Sequence, residues 1–332
     1  MYLTKKRKAV NAMYTIGIDL GGTNIAVGLC DKELNMIDKG SVPTLANRSG
    51  ELIIKDMARL TEKIISRNKL TLKDIEYVGI ASPGSCDTER GVVEYANNLP
   101  FSDFHIADIF KKYLPVERVL VANDANAAAL GEALIGAAKG TKSSVMITLG
   151  TGVGGGVILD GKIFAGGVNC SGTELGHTVI CSGGRQCSCG RRGCWEAYSS
   201  ATGLTNATRD MMKMLKLKGI PSILFEEETK DGKVSARTAF NAMRKGDPYA
   251  QKIVDEYIFY LAEGITNMIN IFQPEVLSIG GGICNEREYL TVPLIKLVEQ
   301  DQYTRASGKK AKIVTATLGN DAGIIGAAGL GR

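Results

Sequence analysis

Residues 14–30 read YTIGIDLGGTNIAVGLC, and this stretch decides the class of fold. Tyr14 to Asp19 is a short β-rich run, Gly21-Gly22 interrupts it, and apolar character resumes from Ile25 to Cys30, so two strands joined by a tight glycine turn are predicted. The arrangement returns in the other half of the chain. Val145 to Leu149 and Val157 to Phe164 are strand-like runs around Gly150-Thr151-Gly152-Val153-Gly154-Gly155-Gly156, and Asp160-Gly161 supplies a type I′ hairpin turn. Further strands are predicted at Tyr77 to Ala81, Val119 to Ala122 and Val276 to Ile279. Helices are predicted over 50–68, 125–138, about 199–217, 248–271 and 322–329, with 165–194 as a loop region. Strands mixed with helices in both halves predict an α/β protein of two lobes with a cleft, and the paired glycine hairpins hint at a duplicated core.

The 332 residues are 44% hydrophobic and 23% charged, the make-up of a globular chain rather than a disordered one. No apolar run approaches the roughly 20 residues of a spanning helix, and no apolar segment follows the basic N-terminal residues, so a cytoplasmic protein without a membrane partner is expected. The formal net charge of +5 suggests nucleic-acid binding until it is located. Lys5, Lys6, Arg7 and Lys8 supply +4, which leaves +1 for the remaining residues and no basis for a basic groove; no nucleic-acid partner is expected. Residues 1–13 read as a solvated N-terminal tail or extended start, with Met13 as an alternative start.

The Asp19-Leu20-Gly21-Gly22-Thr23-Asn24 segment sets a carboxylate at a strand end, then two residues without side chains, then a hydroxyl. Backbone N–H groups can approach phosphate oxygens there, Thr23 adds a donor, and Asp19 can hold the water shell of Mg²⁺; a simple hairpin turn is the other reading. Gly150, Gly152 and Gly155 satisfy G-x-G-x-x-G, but that dinucleotide fingerprint requires a helix straight after the glycines, and Val157-Ile158-Leu159-Asp160-Gly161 reads as strand and turn. No G-x-x-x-x-G-K-[ST] loop is present either. Two glycine hairpins suit the clamping of a triphosphate, with Gly280 to Gly282 as a third glycine wall for adenosine.

Asn123-Asp124-Ala125-Asn126 places a carboxylate between an apolar strand and a helix start. An acceptor hydroxyl of high pKa needs a carboxylate within hydrogen-bond reach to take its proton during phosphoryl transfer, whereas on spacing alone an N-cap is the commoner role. Of the eight cysteines, Cys30, Cys86, Cys170, Cys181 and Cys284 are scattered and read as buried or incidental thiols. Cys187, Cys189 and Cys194 crowd into eight positions, ten residues after His177, and one imidazole with three thiolates makes the closed tetrahedral set of a structural Zn²⁺ site. His105, the other histidine, reads as a surface or packing residue.

Taken together these segments resemble the ROK family, which groups sugar kinases with sugar-responsive repressors. The resemblance rests on DLGGTN at 19–24, SPG at 82–84, Asn98-Leu99, NDAN at 123–126, LGTGVGGG at 149–156, ELGH at 174–177 and C-x-C-G-x-x-G-C-x-E at 187–196, and it covers the chain from about Tyr14. It implies an actin-like ATPase, ribonuclease-H-like fold with an interlobe cleft: a small lobe of 14–124 with about 318–332, and a large lobe of 125–317 carrying the zinc loop. It implies ATP-dependent phosphorylation of a hexose, with glucose at its 6-hydroxyl as the expected substrate. N-acetylmannosamine, N-acetylglucosamine, mannose and fructose are the alternatives. Asp124 becomes the catalytic base, and Gly84, Asn98, Asn123, Asp124, Glu174, His177 and Glu196 the sugar-binding residues. Asp19, Gly21, Gly22, Thr23, Asn24, Thr151, Gly152, Gly281 and Gly282 become the residues for MgATP, and a homodimer or homotetramer is expected. Two places depart from the family's pattern, Asn97-Asn98 where Pro-Asn is frequent and the Val168-Asn169-Cys170-Ser171 stretch before Glu174. A repressor of this family needs a helix-turn-helix ahead of the core, and the dozen residues before the first strand are too few for one.

Overall fold

A computed structural model describes residues 13–168 and 172–332. Of the expected tail only Met13 falls within it, and Asn169, Cys170 and Ser171 lie outside the described residues. The chain divides into two compact units: the described residues within Met1–Gly131, Gly166–Ser171 and Asn320–Arg332, and those within Glu132–Ala165 and Gly172–Gly319.

The first unit contains β1 (Tyr14–Leu20), β2 (Asn24–Cys30), β3 (Met36–Pro43), α1 (Gly50–Arg67), β4 (Ile75–Ser82), β5 (Ser85–Asp87), β6 (Val92–Tyr95), β7 (Ser102–Phe104), α2 (Ile106–Tyr113) and β8 (Val119–Asn123). It also holds the start of α3 (Asp124–Leu134). Its main sheet has the order β3-β2-β1-β4-β8, antiparallel from β3 to β1 and parallel from β1 to β8. The second unit contains β9 (Ser144–Leu149), β10 (Val153–Leu159), β11 (Lys162–Phe164), α4 (Glu196–Ser199), α5 (Ala201–Leu217), α6 (Ile223–Asp231), α7 (Ala236–Arg244), α8 (Pro248–Phe272), β12 (Val276–Gly280), α9 (Glu288–Asp301) and β13 (Lys312–Thr315). Its sheet, β11-β10-β9-β12-β13, repeats the first: two antiparallel pairings, then two parallel ones. The duplicated core hinted at by the glycine hairpins is therefore present, and it is the ribonuclease-H-like, actin-like arrangement. The chain closes with α10 (Ala322–Ala328) back in the first unit.

A row of glycines explains how α10 seats. Gly28, Gly17 and Gly79 are register partners across β2, β1 and β4. A Cβ on Gly17 would come within 1.9 Å of the Ile324 carbonyl oxygen, one on Gly79 within 1.8 Å of that of Ala327, and one on Gly28 within 2.5 Å of the Ile324 side chain. The small-residue helix thus lies with its backbone directly against the sheet. It also meets α3 closely, since a Cβ on Gly326 would overlap the Ala127 carbonyl.

Local chemistry shifts several predicted boundaries. The helix expected over 125–138 starts at Asp124 and ends at Leu134, because the Ala137 N–H turns to the Glu132 carboxylate and the Ala138 N–H reaches back six residues to the Glu132 carbonyl, neither of them a helical bond. The helix expected from about 199 is broken at Ser200, whose hydroxyl caps α5 by accepting the Gly203 N–H at 3.0 Å. The strand expected from Val157 begins at Val153, so Gly154, Gly155 and Gly156 pair with Thr148, Ile147 and Met146 instead of forming a loop. The turn at Asp160-Gly161 has positive φ at both residues, 50° and 74°, as a type I′ turn requires. None of the described helices is long and apolar enough to cross a membrane.

Candidate active site

In the first unit the fold brings the chemistry to the carboxyl ends of β1, β4 and β8. Asp19 is the penultimate residue of β1, and Gly21, Gly22 and Thr23 make the turn into β2, closed by the Gly21 N–H donating to the Asn24 carbonyl at 2.9 Å. Neither Gly21 nor Gly22 takes a positive φ, so the turn does not need glycine for its backbone angles. What the glycines leave is open space: Gly22, Thr23 and Asn24 are exposed, and a Cβ on Gly22 would only touch that of Asn98 at 3.6 Å. Asn98 is thereby placed beside the turn.

Asn123 ends β8 and caps α3, its side-chain oxygen accepting the N–H groups of Ala125 at 2.9 Å and Asn126 at 3.2 Å. Its amide nitrogen donates to the Gly84 carbonyl at 3.1 Å. Gly84 has φ +94° and no room for a Cβ, which would come within 2.0 Å of the Tyr95 carbonyl oxygen, so only glycine fits there. With capping assigned to Asn123, the Asp124 carboxylate accepts the Ala125 N–H at 2.8 Å. Burial pushes the Asp124 carboxyl above the usual range, against the lowering pull of the Ala125 N–H and Asn123. Burial first, and then the charge of Asp124, raise Asp19 to about 6. Gly323 of α10 packs on Asp19, where a Cβ would stand 2.8 Å from the carboxyl carbon. The buried Cys86 thiol is pushed up to about 12 by burial and the same Asp124 charge.

In the second unit, the Gly150–Gly152 turn joins β9 to β10 and is closed by the Gly150 N–H donating to the Gly152 carbonyl at 3.0 Å. The start of α5 holds it from behind: the Ala201 N–H donates to the Gly150 carbonyl at 2.9 Å and the Thr202 hydroxyl to the Thr151 carbonyl at 2.7 Å. Gly281 has φ +96°, and a Cβ there would come within 2.2 Å of the Leu149 carbonyl oxygen, so the glycine segment after β12 lies against the end of β9. Gly282, beside it, faces open space. The later glycines serve packing: a Cβ on Gly155 would strike Leu175, and one on Gly176 would strike the Val153 carbonyl, so the ELGH turn lies directly on β10.

That turn presents His177 to the cysteines. Its Nδ1 is 3.7 Å from Cys187 Sγ, Cys189 and Cys194 sulfurs are 3.6 Å apart, and all four donor atoms lie within 4.8 Å of one another. A tetrahedral ion at about 2.3 Å from sulfur and about 2.0 Å from nitrogen sets donors roughly 3.5–3.8 Å apart, so the donor set fits Zn²⁺ in both chemistry and spacing. Four protein donors would fill a tetrahedral shell, the composition of a structural rather than a catalytic site.

Trp195 anchors this loop. It is fully buried, its indole N–H donates to the Tyr260 carbonyl at 3.1 Å, and it occupies the space that a side chain on Gly264 would need. The next residue, Glu196, bridges two parts of the site. One carboxylate oxygen accepts the Val153 N–H at 3.1 Å beside the glycine turn, and the other accepts the Ser188 hydroxyl at 3.1 Å inside the cysteine loop. That carboxylate lies directly on Gly152, where a Cβ would stand 2.2 Å from its oxygen. Glu174 is exposed, and its carbonyl accepts the His177 N–H at 3.0 Å. His105 stands apart at the start of α2, near Asp108. The spacing of the cysteines gives no role to Ser188 or Trp195; the signal for Trp195 is that it is the single tryptophan of the chain and stands directly between Cys194 and Glu196.

The profile of the ROK family matches residues 15–332. The chain is 37% identical to a glucokinase of Thermotoga maritima, covering 95% of this chain and 96% of that one, and 36% identical to a glucokinase of Halalkalibacterium halodurans, covering 94% and 92%. Among solved structures it is similar to a ROK family glucokinase from Streptomyces griseus in complex with glucose and AMPPNP, with a TM-score of 0.76, 30% identity and coverage of 96% and 98%. With the profile running from the first strand to the C-terminus and relatives above 30% identity along almost the whole length, the chain belongs to the ROK family.

Proposed function

We propose that the chain is an ATP-dependent glucokinase that transfers the γ-phosphoryl group of MgATP to the 6-hydroxyl of glucose. The observation that carries this is Asp124: a carboxylate relieved of capping by Asn123, raised in pKa by burial, and set beside Asp19 at the strand ends. Burial makes such a carboxylate a stronger proton acceptor than a solvated one. In the reaction the sugar oxygen forms a bond to the γ-phosphorus, the bond from that phosphorus to the β,γ-bridging oxygen breaks, and the hydroxyl proton passes to Asp124. ADP and glucose 6-phosphate leave.

Gly84, Asn98, Asn123, Glu174, His177 and Glu196 serve as sugar-binding residues. His177 does so through Nε2, since Nδ1 faces the cysteines. Asp19 would hold the water shell of the Mg²⁺ that accompanies ATP, and that ion would supply positive charge to offset the transferring group. Gly21, Gly22, Thr23, Asn24, Thr151, Gly152, Gly281 and Gly282 serve as the nucleotide-binding residues. Support for the Gly22–Asn24 segment comes from its exposure without any backbone requirement for glycine. The protein works in the cytoplasm as a homodimer or homotetramer.

Asp124→Asn tests the proposal. Turnover in a coupled ADP-release assay should fall by about 10²–10⁴-fold while glucose and ATP still bind in calorimetry. Substantial remaining kcat would remove Asp124 from the role of base. Tight sugar binding without any ADP release from the unaltered protein, together with operator-like DNA binding at physiological salt, would favour the repressor branch instead.

A further inference from the structure

Thr44 follows β3 and is completely buried despite its polar side chain. Its hydroxyl donates to the Gly21 carbonyl at 2.6 Å and its N–H donates to the Thr23 carbonyl at 2.8 Å. One residue thus holds the turn on both sides of Gly22. Because the peptide group is planar and trans, fixing the Gly21 carbonyl also fixes the opposed N–H of Gly22.

Thr44 is itself braced. Its carbonyl accepts from Arg48 Nη2 at 3.0 Å, and Arg48 Nη1 pairs with Asp56 at 2.7 Å. Asp56 lies on α1, which is anchored in the core through Ile53, Ile54, Met57 and Leu60. Among the described residues the buried Arg48 Nε has no partner, a cost that a guanidinium free to turn to water would avoid.

We propose that Thr44 is a positioning residue for phosphoryl transfer: the Asp56–Arg48–Thr44 strut holds the Gly21–Thr23 turn so that the Gly22 amide and the Thr23 hydroxyl meet the nucleotide's phosphates. The inference rests on the reading of that turn as a phosphate loop. It assigns work to three residues outside every recognised motif of the chain.

The test is Thr44→Val, which keeps the shape and removes the donor, alongside Thr44→Ser, which restores it, and Thr23→Val, which removes the hydroxyl offered to phosphate. Thr44→Val should raise KM for ATP about tenfold, leave KM for glucose within about twofold, and be rescued by Thr44→Ser. A purely structural role would move both KM values or only the melting temperature, and that result overturns the proposal. If Thr23→Val weakens ATP while Thr44→Val leaves ATP unaffected, the strut is refuted and the phosphate loop stands. If both leave ATP unaffected, the loop reading fails and the strut with it. Should Thr44→Val not fold, Asp56→Asn interrupts the strut at its outer end; an unchanged KM for ATP there is equally decisive against the proposal.

Discussion

Replacing Asp19 by Asn should make the folded protein more stable while removing most of its activity. Burial, helped by the charge of Asp124, raises the Asp19 carboxyl from 3.8 to about 6. Ionised Asp19 is therefore disfavoured in the folded state by about 2 pKa units, or roughly 2–3 kcal/mol at about 1.4 kcal/mol per unit. The sign follows from proton binding. Between pH 3.8 and about 6 the folded chain holds a proton that the unfolded chain has released, so this group's contribution to stability falls as pH rises through that window and then levels off. Asparagine has the shape of the carboxyl without its charge and escapes the penalty. In urea unfolding without metal or nucleotide, Asp19→Asn should exceed the parent by about 2–3 kcal/mol at pH 8, and the gap should shrink toward zero near pH 4. In the kinase assay the same variant should lose at least about 10²-fold in kcat/KM with MgATP, as the proposed role beside Mg²⁺ requires. A variant less stable than the parent at pH 8, or a gap that does not change with pH, would refute the electrostatic reasoning.

Two further outcomes are expected. Cys189→Ser removes one of the four donors, so elemental analysis should fall from about one zinc per chain to near none, with faster hydrogen exchange over 178–194; retained stoichiometric zinc would contradict the assignment. Glu132→Gln should cost about 2–3 kcal/mol in denaturant unfolding. The carboxylate is 1% exposed and accepts from the N–H groups of Thr317, Leu318 and Ala137 and the Thr317 hydroxyl, so an amide group must turn a donor toward at least one backbone donor. A loss below about 0.5 kcal/mol would show that the surroundings rearrange to satisfy it.

The chain's local chemistry was legible from the residues alone wherever partners lie close in sequence. Both glycine hairpins, the type I′ turn at Asp160-Gly161 and the starts of the major helices follow from propensities that act over a few residues. The His177–Cys194 donor set was readable for the same reason: eighteen consecutive residues can chelate one ion with little help from elsewhere. Only the tertiary structure decided what each glycine is for. Gly154, Gly155 and Gly156 looked like a continuation of a phosphate loop but are strand residues, and Gly155 leaves room for Leu175. Nor could spacing decide between Asn123 and Asp124 as the cap; the side-chain directions did. The Gly28–Gly17–Gly79 row, the Thr44 strut and the bridge from Glu196 to Val153 depend on strand register and on side chains bonding to backbone far away in the chain. Such bonds follow no sequence period, because a hydroxyl or carboxylate finds its partner only after the strands and helices have packed.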